Sequence, residues 1–180
     1  MGRTAAVSAA TSLRLLASPE LRPRPAPVPE ARRATATTPP APLNLGLIDY
    51  LDAHVTEVVT HVRSLPGGDA APAPRTPGDL YDWYIEHTAH ADADEQAWRD
   101  YITERHALEH AIALGEHKAV RPHPCPRCGC WSLFWDDAGT RARCSISDCR
   151  TPDGMASSWT LARLAAQKVQ RTEIWRRNAT

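Results

Sequence analysis

The sequence predicts a mainly α-helical protein that contains one small, cysteine-rich β module. Apolar residues recur at helical spacing in the middle and near the end of the chain, which indicates amphipathic helices. All five cysteines lie within residues 125–149, and the stretch between two cysteine pairs has the pattern of two short strands joined by a turn. The expected order is therefore a disordered N-terminus, a helical region, a β-hairpin held by cysteines and a C-terminal helix.

Composition limits the classes of protein to which the chain can belong. With 180 residues, 42% of them apolar and 23% charged, it has the size and composition of an ordinary globular domain with a tail. It is too short for a large enzyme, and it lacks the run of about eighteen apolar residues that a membrane-spanning helix needs. We therefore expect a soluble protein of the cytoplasm with no membrane partner.

The net charge of zero conceals an uneven distribution along the chain. Residues 1–42 have a net charge of +4, residues 43–117 one of −10 and residues 118–180 one of +6. A polyanion such as nucleic acid would be attracted by the last segment and repelled by the middle one. The acidic middle segment is instead suited to contact with a protein partner.

Residues 1–43 are predicted to be disordered. Eight prolines lie within residues 19–42, and the stretch has no apolar periodicity that could form a core. The first nineteen residues lack acidic side chains and contain two arginines, a composition that resembles an organellar transit peptide. A bacterial leader without targeting value has the same composition, and it is the preferred interpretation.

Residues 44–117 form the predicted acidic helical region. From Asn44 onward, six apolar residues follow one another at steps of three and four and share one stripe of a helix: Ile48, Leu51, Val55, Val58, Val62 and Leu65. A linker rich in proline and glycine follows at residues 66–77. The stripe packs either on its own domain, which is the preferred interpretation, or on a second copy in a homodimer through residues 44–65.

Two further helices are expected at about residues 79–90 and 94–114, with Gly115 ending the second. The segment His106-Ala-Leu-Glu109-His110 has the H-x-x-E-H spacing of inverzincin metallopeptidases. In that arrangement both histidines bind zinc and the glutamate polarises a water molecule. An exposed, charged helix face produces the same letters by chance, and we prefer that interpretation.

The four outer positions of the cysteine segment carry the strongest chemical signal. Cys125 and Cys128 form a C-x2-C pair followed directly by glycine, and Cys144 and Cys149 form a C-x4-C pair after fifteen intervening residues. Two such turns can aim four thiolates at one centre, which is the tetrahedral arrangement that Zn²⁺ prefers. We therefore predict one Zn²⁺ per chain, held by these four cysteines in a zinc ribbon at residues 118–156.

Other arrangements of this segment stay open. Cys130 could replace Cys128, but the pair would then lack the usual spacing of a zinc knuckle, and His117 or His123 could complete the shell if a cysteine were displaced. Four thiolates also bind iron–sulfur clusters. Disulfides would form only in an oxidising compartment.

The layout of residues 123–153 resembles the zinc-binding modules of two families. The order C-P-x-C-G, short strand, glycine-containing turn and C-S-x-x-x-C followed by arginine resembles the C-terminal zinc fingers of bacterial type I topoisomerases. The wide second pair resembles that of the Ogr and Delta phage transcription activators. The second knuckle is one residue shorter than the usual topoisomerase form, and the hairpin is shorter than in Ogr-type proteins. The resemblance covers under a fifth of the chain and implies a zinc ribbon, nucleic-acid binding and a bacterial or phage-like origin, while no topoisomerase catalytic region fits in the remainder.

Residues 157–180 are predicted to form a basic helix capped by Ser157 and Ser158. The helix either covers the ribbon or grips phosphate groups beside it. On the first ribbon strand, Trp131, Leu133 and Trp135 alternate and are expected to share one face. Aromatic and basic residues of both segments are the candidate nucleic-acid contacts: Arg127, Trp131, Trp135, Arg141, Arg143, Lys168 and Arg171.

These features favour a non-enzymatic zinc-ribbon protein that binds nucleic acid, single-stranded DNA in particular, as an accessory or regulatory factor. The alternative is an adaptor whose ribbon is structural and whose acidic helices bind another protein. A metallopeptidase based on His106, Glu109 and His110 comes third. The surface around the ribbon distinguishes the first two: basic and aromatic for nucleic acid, apolar without a basic patch for a protein partner.

Overall fold

The computed structural model describes residues 2–18, 45–68 and 72–178. Most of these residues are helical, and the strands form one small antiparallel sheet. The helices are α1 (Gly2–Leu16), α2 (Leu45–Ser64), α3 (Leu80–His87), α4 (Ala93–Ala113) and α5 (Leu161–Asn178), and the strands are β1 (Leu133–Asp136), β2 (Arg141–Cys144) and β3 (Ser158–Trp159). A mainly helical chain with a small β module is thereby confirmed. None of the helices in these ranges has both the length and the apolar content needed to cross a membrane.

Helix α1 corrects the prediction that residues 1–43 are disordered. Its sequence is rich in alanine, the residue with the highest helix propensity, and contains no proline. The side chains of one face are buried and pack mainly on α4: Ala6, Ala9, Ala10, Leu13 and Leu16. The prediction is wrong for Gly2–Leu16 because the proline-rich stretch that motivated it begins only at residue 19. Residues 19–43 lie outside the described residues, as does Asn44.

Helices α1 to α4 enclose the first of two hydrophobic clusters. Its buried members outside α1 are Val58 and Val62 of α2, Leu80, Tyr81 and Tyr84 of α3, and Ile102 and Ala107 of α4. Leu51 and Val55 pack at the edge of the cluster, whereas Ile48 is exposed. The apolar stripe of α2 therefore faces its own domain for most of its length. A homodimer through residues 44–65 stays a prediction.

The ends of α4 follow the signals in its sequence. The Asp92 carboxylate accepts a hydrogen bond from the Glu95 amide at 2.9 Å, which caps the first turn. Gly115 has a φ of +81°, and the Glu116 amide donates to the Ala111 carbonyl at 2.8 Å, which closes the last turn. The expected C-terminal glycine is confirmed.

Strands β1 and β2 form the expected hairpin, and their register separates two faces of the sheet. The inner face joins the second hydrophobic cluster and carries Leu133, Trp135, Ala142 and Cys144. The outer face carries Phe134, Asp136, Arg141 and Arg143. Trp131 lies before β1 and is exposed, so the expectation that it shares a face with Leu133 and Trp135 is wrong.

The residues expected to begin the C-terminal helix form strand β3 instead. Ser157 and Ser158 are placed at the helix cap by the sequence, but Ser158 and Trp159 pair with β2 instead. Helix α5 begins after Thr160, whose Oγ1 accepts a hydrogen bond from the Arg163 amide at 3.2 Å. The hydroxyl-bearing residue that caps the helix is therefore a later one, because β2 offers a free edge to the chain before it.

Replacing Leu13 by alanine tests the packing of α1. Leu13 is fully buried, whereas Leu15 on the same helix is 49% exposed. We expect Leu13→Ala to lower the free energy of unfolding by about 2–5 kcal/mol, because it leaves a cavity in the core. Leu15→Ala is the matched control and should change it by less than about 0.5 kcal/mol. Urea unfolding that gives the same small change for both variants would show that α1 does not contribute to the core.

Candidate metal centre

Four cysteine sulfurs converge where two turns of the ribbon meet. The Sγ atoms of Cys125, Cys128, Cys144 and Cys149 all lie within 4.8 Å of one another. The sulfurs of Cys125 and Cys149 are 3.7 Å apart, and those of Cys128 and Cys144 are 3.8 Å apart. Sulfurs bound to one tetrahedral ion at about 2.3 Å are separated by about 3.8 Å. The four predicted ligands therefore have the spacing that one metal ion requires.

The first turn of this centre is shaped by its backbone. The Cys125 amide donates to the Cys130 carbonyl, and the Gly129 amide donates to the Cys125 carbonyl, both at 2.9 Å. Gly129 has a φ of +73°, in the left-handed region that glycine adopts without strain. The glycine that follows the C-x2-C pair is therefore needed for the turn that aims both sulfurs at one point.

The electrostatics of the four sulfurs favour a bound cation. Burial disfavours the thiolate of Cys125, but the amides of Cys128 and Arg127 outweigh it and lower the pKa of this thiol to about 7. The Ser157 hydroxyl favours the thiolate of Cys149, yet burial and the neighbouring cysteines prevail and raise its pKa to about 12. The first thiolate thus opposes the ionisation of the next. Four thiolates coexist at this distance only when a cation compensates their charge.

The other candidate ligands of this segment lie outside the centre. Cys130 is exposed, and its sulfur is 3.8 Å from the Cys128 carbonyl. His117 pairs with Asp137 at 3.2 Å. His123 is buried beside Glu104, and burial lowers its pKa to about 4. None of the three belongs to the group of converging ligand atoms.

An aromatic and basic surface lies on the outside of the ribbon. Trp131 is 65% exposed, and the guanidinium carbon of Arg171 lies 5.6 Å from the centroid of its ring, in cation–π contact. Phe134 is 43% exposed on the outer face of the hairpin, directly opposite Arg143. Arg141 lies on the same face of β2. The structure thus brings Trp131 together with Arg171 and places Phe134 on one strand face with two arginines, of which Arg143 pairs with Asp136 at 3.2 Å.

The other candidate nucleic-acid contacts differ in exposure and in whether they already have a partner within the protein. Arg127 and Arg141 are exposed, and neither forms an ion pair within the described residues. Trp135 packs against the second hydrophobic cluster, and its Nε1–H donates to Asp137 at 2.9 Å. Lys168 donates to the Glu104 carboxylate at 2.6 Å. Trp135 and Lys168 are therefore engaged in internal contacts.

The H-x-x-E-H residues lie in the helical core and not on an exposed, charged face. His106 and His110 are fully buried. Burial lowers the pKa of His106, and burial together with the nearby histidines lowers the pKa of His110 to about 2. Both rings are therefore neutral near pH 7. The expectation of an exposed face is wrong because residues of α2 and α3 cover this side of α4.

Two residues that the sequence patterns did not single out belong to the same polar cluster, His54 and Glu57 of α2. One ligand atom each from His54, His106 and Glu109 lies within 4.8 Å of the others. Glu57 accepts hydrogen bonds from His106 and Arg105. The signal that could have revealed the cluster is the spacing H-x-x-E, which occurs once on α2 and once on α4.

The geometry of the four cysteines is thus compatible with a bound metal ion, and a second group of potential ligands lies in the helical core. The two groups share no residue. In comparisons with known proteins, no family model, no curated protein and no solved structure matches this chain.

Proposed function

We propose that the four cysteines hold one Zn²⁺ and that residues 118–156 are a zinc ribbon. The support is the donor set, since four thiolates at tetrahedral spacing are typical of structural zinc sites. An iron–sulfur cluster places several iron atoms between its ligands, so some of its cysteine sulfurs stand farther apart than the 4.8 Å within which all four lie here. A shell of four protein ligands leaves no open position for a substrate, and we therefore assign this ion no catalytic role.

We further propose that the ribbon binds nucleic acid, with unpaired bases stacked on its exposed aromatic rings. The observation that carries this proposal is Trp131, an exposed indole beside the Arg171 guanidinium. Phe134 offers a second exposed ring on the strand face that carries Arg141 and Arg143, and the Arg143 guanidinium also pairs with Asp136 at 3.2 Å. Rings bordered by guanidinium groups suit single strands, because bases stack on the ring while phosphates pair with the arginines.

The distribution of charge supports the same surface. The segment from residue 118 to the end has a net charge of +6, and the helical region before it one of −10. A polyanion is therefore drawn to the ribbon and α5 and kept away from α2, α3 and α4. Stacking and phosphate contacts carry little sequence information, so we expect weakly sequence-specific binding that falls steeply with salt.

A protein adaptor is the second candidate function. Two neighbouring apolar side chains near the end of α5, Ile174 and Trp175, are exposed. Exposed large apolar residues of this kind are common at protein interfaces. The basic and aromatic surface of the ribbon nevertheless has the chemistry expected for nucleic acid, and for that reason we place the adaptor second.

Replacing single cysteines tests the zinc site. We expect Cys144→Ser to lose one zinc ion per chain and the ordered ribbon with it, because metal binding supplies much of the folding free energy of so small a module. Cys130→Ser is the matched control and should keep both. Elemental analysis after gel filtration measures the zinc, and cobalt replacement reveals the thiolate ligands by their charge-transfer absorption. Unchanged zinc content in Cys144→Ser would rule out this site.

Replacing an exposed tryptophan tests the stacking surface. We expect Trp131→Ala to weaken binding of a labelled single-stranded oligonucleotide by about 1–3 kcal/mol, and to weaken duplex binding less. Trp98→Ala is the matched control, since Trp98 is half exposed on the acidic helix α4. Fluorescence anisotropy at low salt measures both. Equal losses in the two variants would contradict stacking on the ribbon.

Salt titration of arginine variants tests the phosphate contacts. Arg141→Ala should weaken binding and reduce the slope of log affinity against log salt by about one unit. Arg75→Ala, an exposed arginine that precedes α3, should change neither quantity. If the zinc-loaded wild type binds no oligonucleotide at low salt, the adaptor function takes the place of nucleic-acid binding.

A further inference from the structure

The polar cluster between α2 and α4 contains two histidine–glutamate pairs with the same H-x-x-E spacing, one on each helix. His54 and Glu57 are three residues apart on α2, and His106 and Glu109 are three residues apart on α4. Each histidine contacts the glutamate of the other helix. His54 Nε2 lies 2.9 Å from Glu109 Oε2, and His106 Nε2 lies 3.0 Å from Glu57 Oε2. This reciprocal exchange brings two imidazoles and two carboxylates together between α2 and α4.

The cluster is enclosed by protein but open at one edge. His54 and His106 are buried, with their ring centroids 4.3 Å apart. The side chain of Glu109 is 27% exposed. A small ion can therefore reach the carboxylate of Glu109 from solvent without opening the hydrophobic core.

Both ring nitrogens of His54 face hydrogen-bond acceptors. Nδ1 lies 2.7 Å from the Tyr50 carbonyl oxygen, and Nε2 lies 2.9 Å from Glu109 Oε2. A neutral imidazole has one N–H and can donate to only one of them. When Nδ1 donates to the Tyr50 carbonyl, the lone pair of Nε2 points at a carboxylate. A second ring proton, or a metal cation bound by Nε2 and Glu109, satisfies both groups at once.

The surroundings of His106 are those of an oriented metal ligand. A ligating histidine usually donates from its other ring nitrogen to a carboxylate or carbonyl group, which fixes its tautomer and its orientation. His106 donates such a bond from Nε2 to Glu57, which is itself held by Arg105. The ligating nitrogen is then Nδ1, which lies 3.0 Å from the Tyr81 hydroxyl; that hydroxyl has one proton and can donate it to His110 Nε2, at 2.8 Å, instead. Because Arg105 compensates the charge of Glu57, this carboxylate remains an acceptor next to a buried ring.

We propose that His54, His106 and Glu109 bind a divalent transition-metal ion, separate from the ion held by the cysteines. One ligand atom of each residue already lies within 4.8 Å of the others. Imidazole and carboxylate donors suit Zn²⁺ and the neighbouring first-row ions. Three protein ligands leave a position for water in a tetrahedral shell, and the ion ties α2 to α4 across the core.

This ligand set differs from the one that H-x-x-E-H implies in inverzincins. His110 does not belong to the converging group, and its two nitrogens lie 2.7 and 2.8 Å from the hydroxyl groups of Tyr50 and Tyr81. Glu109 is a ligand here and not a base for water. The second histidine comes instead from α2, where the peptidase motif has no counterpart.

Cobalt titration of the 180-residue protein that carries one Zn²⁺ per chain by elemental analysis tests this site. We expect one additional Co²⁺ to bind per chain, with visible d–d absorption but without the thiolate charge-transfer absorption of a cysteine site. Equilibrium dialysis gives the stoichiometry, and the charge-transfer region reports any exchange of cobalt into the ribbon. The readout is therefore independent of nucleic-acid binding and of the zinc held by the cysteines.

Variants of the ligands identify the residues that bind the ion. Glu109→Gln and His54→Gln should each weaken cobalt binding at least about tenfold, and Glu57→Gln should weaken it about 10–100-fold through the orientation of His106. The matched controls are Glu86→Gln and His90→Gln, both exposed, which should leave the affinity unchanged. Circular dichroism and ribbon zinc content verify folding, and Glu109→Gln, at the open edge, keeps the test valid if the buried His54 variant fails to fold.

Two outcomes would overturn the proposal. The first is a folded wild-type protein that takes up no additional cobalt. The second is additional cobalt whose affinity is the same in wild type, Glu109→Gln and the control variants, which would identify adventitious surface binding. In either case the cluster is a hydrogen-bond network of the core and not a metal site.

Discussion

Helix α4 is buried on two sides, and the rest of the architecture depends on this constraint. Ile102 and Ala107 belong to the hydrophobic cluster of the helical region, and Leu108 belongs to that of the ribbon. Its polar residues are buried as well and therefore need partners, because an unpaired buried charge costs several kcal/mol. Glu104 obtains one from Lys168 of α5. His106 obtains one from Glu57 of α2. These contacts determine which elements can cover α4.

The ribbon depends on α4 and α5 for its apolar packing and on its cysteines for closure. An isolated two-stranded hairpin is marginal in water, and the strands here have only four residues each. The inner face packs on Leu164 of α5 and Leu108 of α4. Short strand β3 joins the second knuckle to α5 and completes the sheet. A metal ion at the four sulfurs would therefore stabilise both knuckles and the base of the last helix together.

Buried polar groups have different kinds of partners in the helical region and in the ribbon. In the helical half, histidines meet carboxylates and tyrosine hydroxyls, and burial lowers the pKa of His106 and His110, so neutral rings form a hydrogen-bonded core. In the ribbon, four cysteine sulfurs converge at a spacing compatible with a bound metal ion. Arginine and aromatic side chains remain on the outside of the ribbon. The proposed metal chemistry is internal in both halves, and the proposed recognition surface belongs to the ribbon.

The sequence by itself determined the features that depend on neighbouring residues. The cysteine spacing, the hairpin between the two cysteine pairs, and the two glycines that follow the C-x2-C turn and helix α4 were all predictable, because each follows from local backbone geometry. Only the tertiary structure decided the role of α1, the pairing of β3, and the meeting of His54 with Glu109. Those features join residues that are far apart in the chain. The alanines of α1, the two residues of β3 and the H-x-x-E spacing of α2 do not predict these contacts, because each depends on a partner surface that only the folded chain provides. The same holds for Trp131 and Trp135, which are similar in sequence context but differ in exposure because only Trp135 lies on the face that packs against the core.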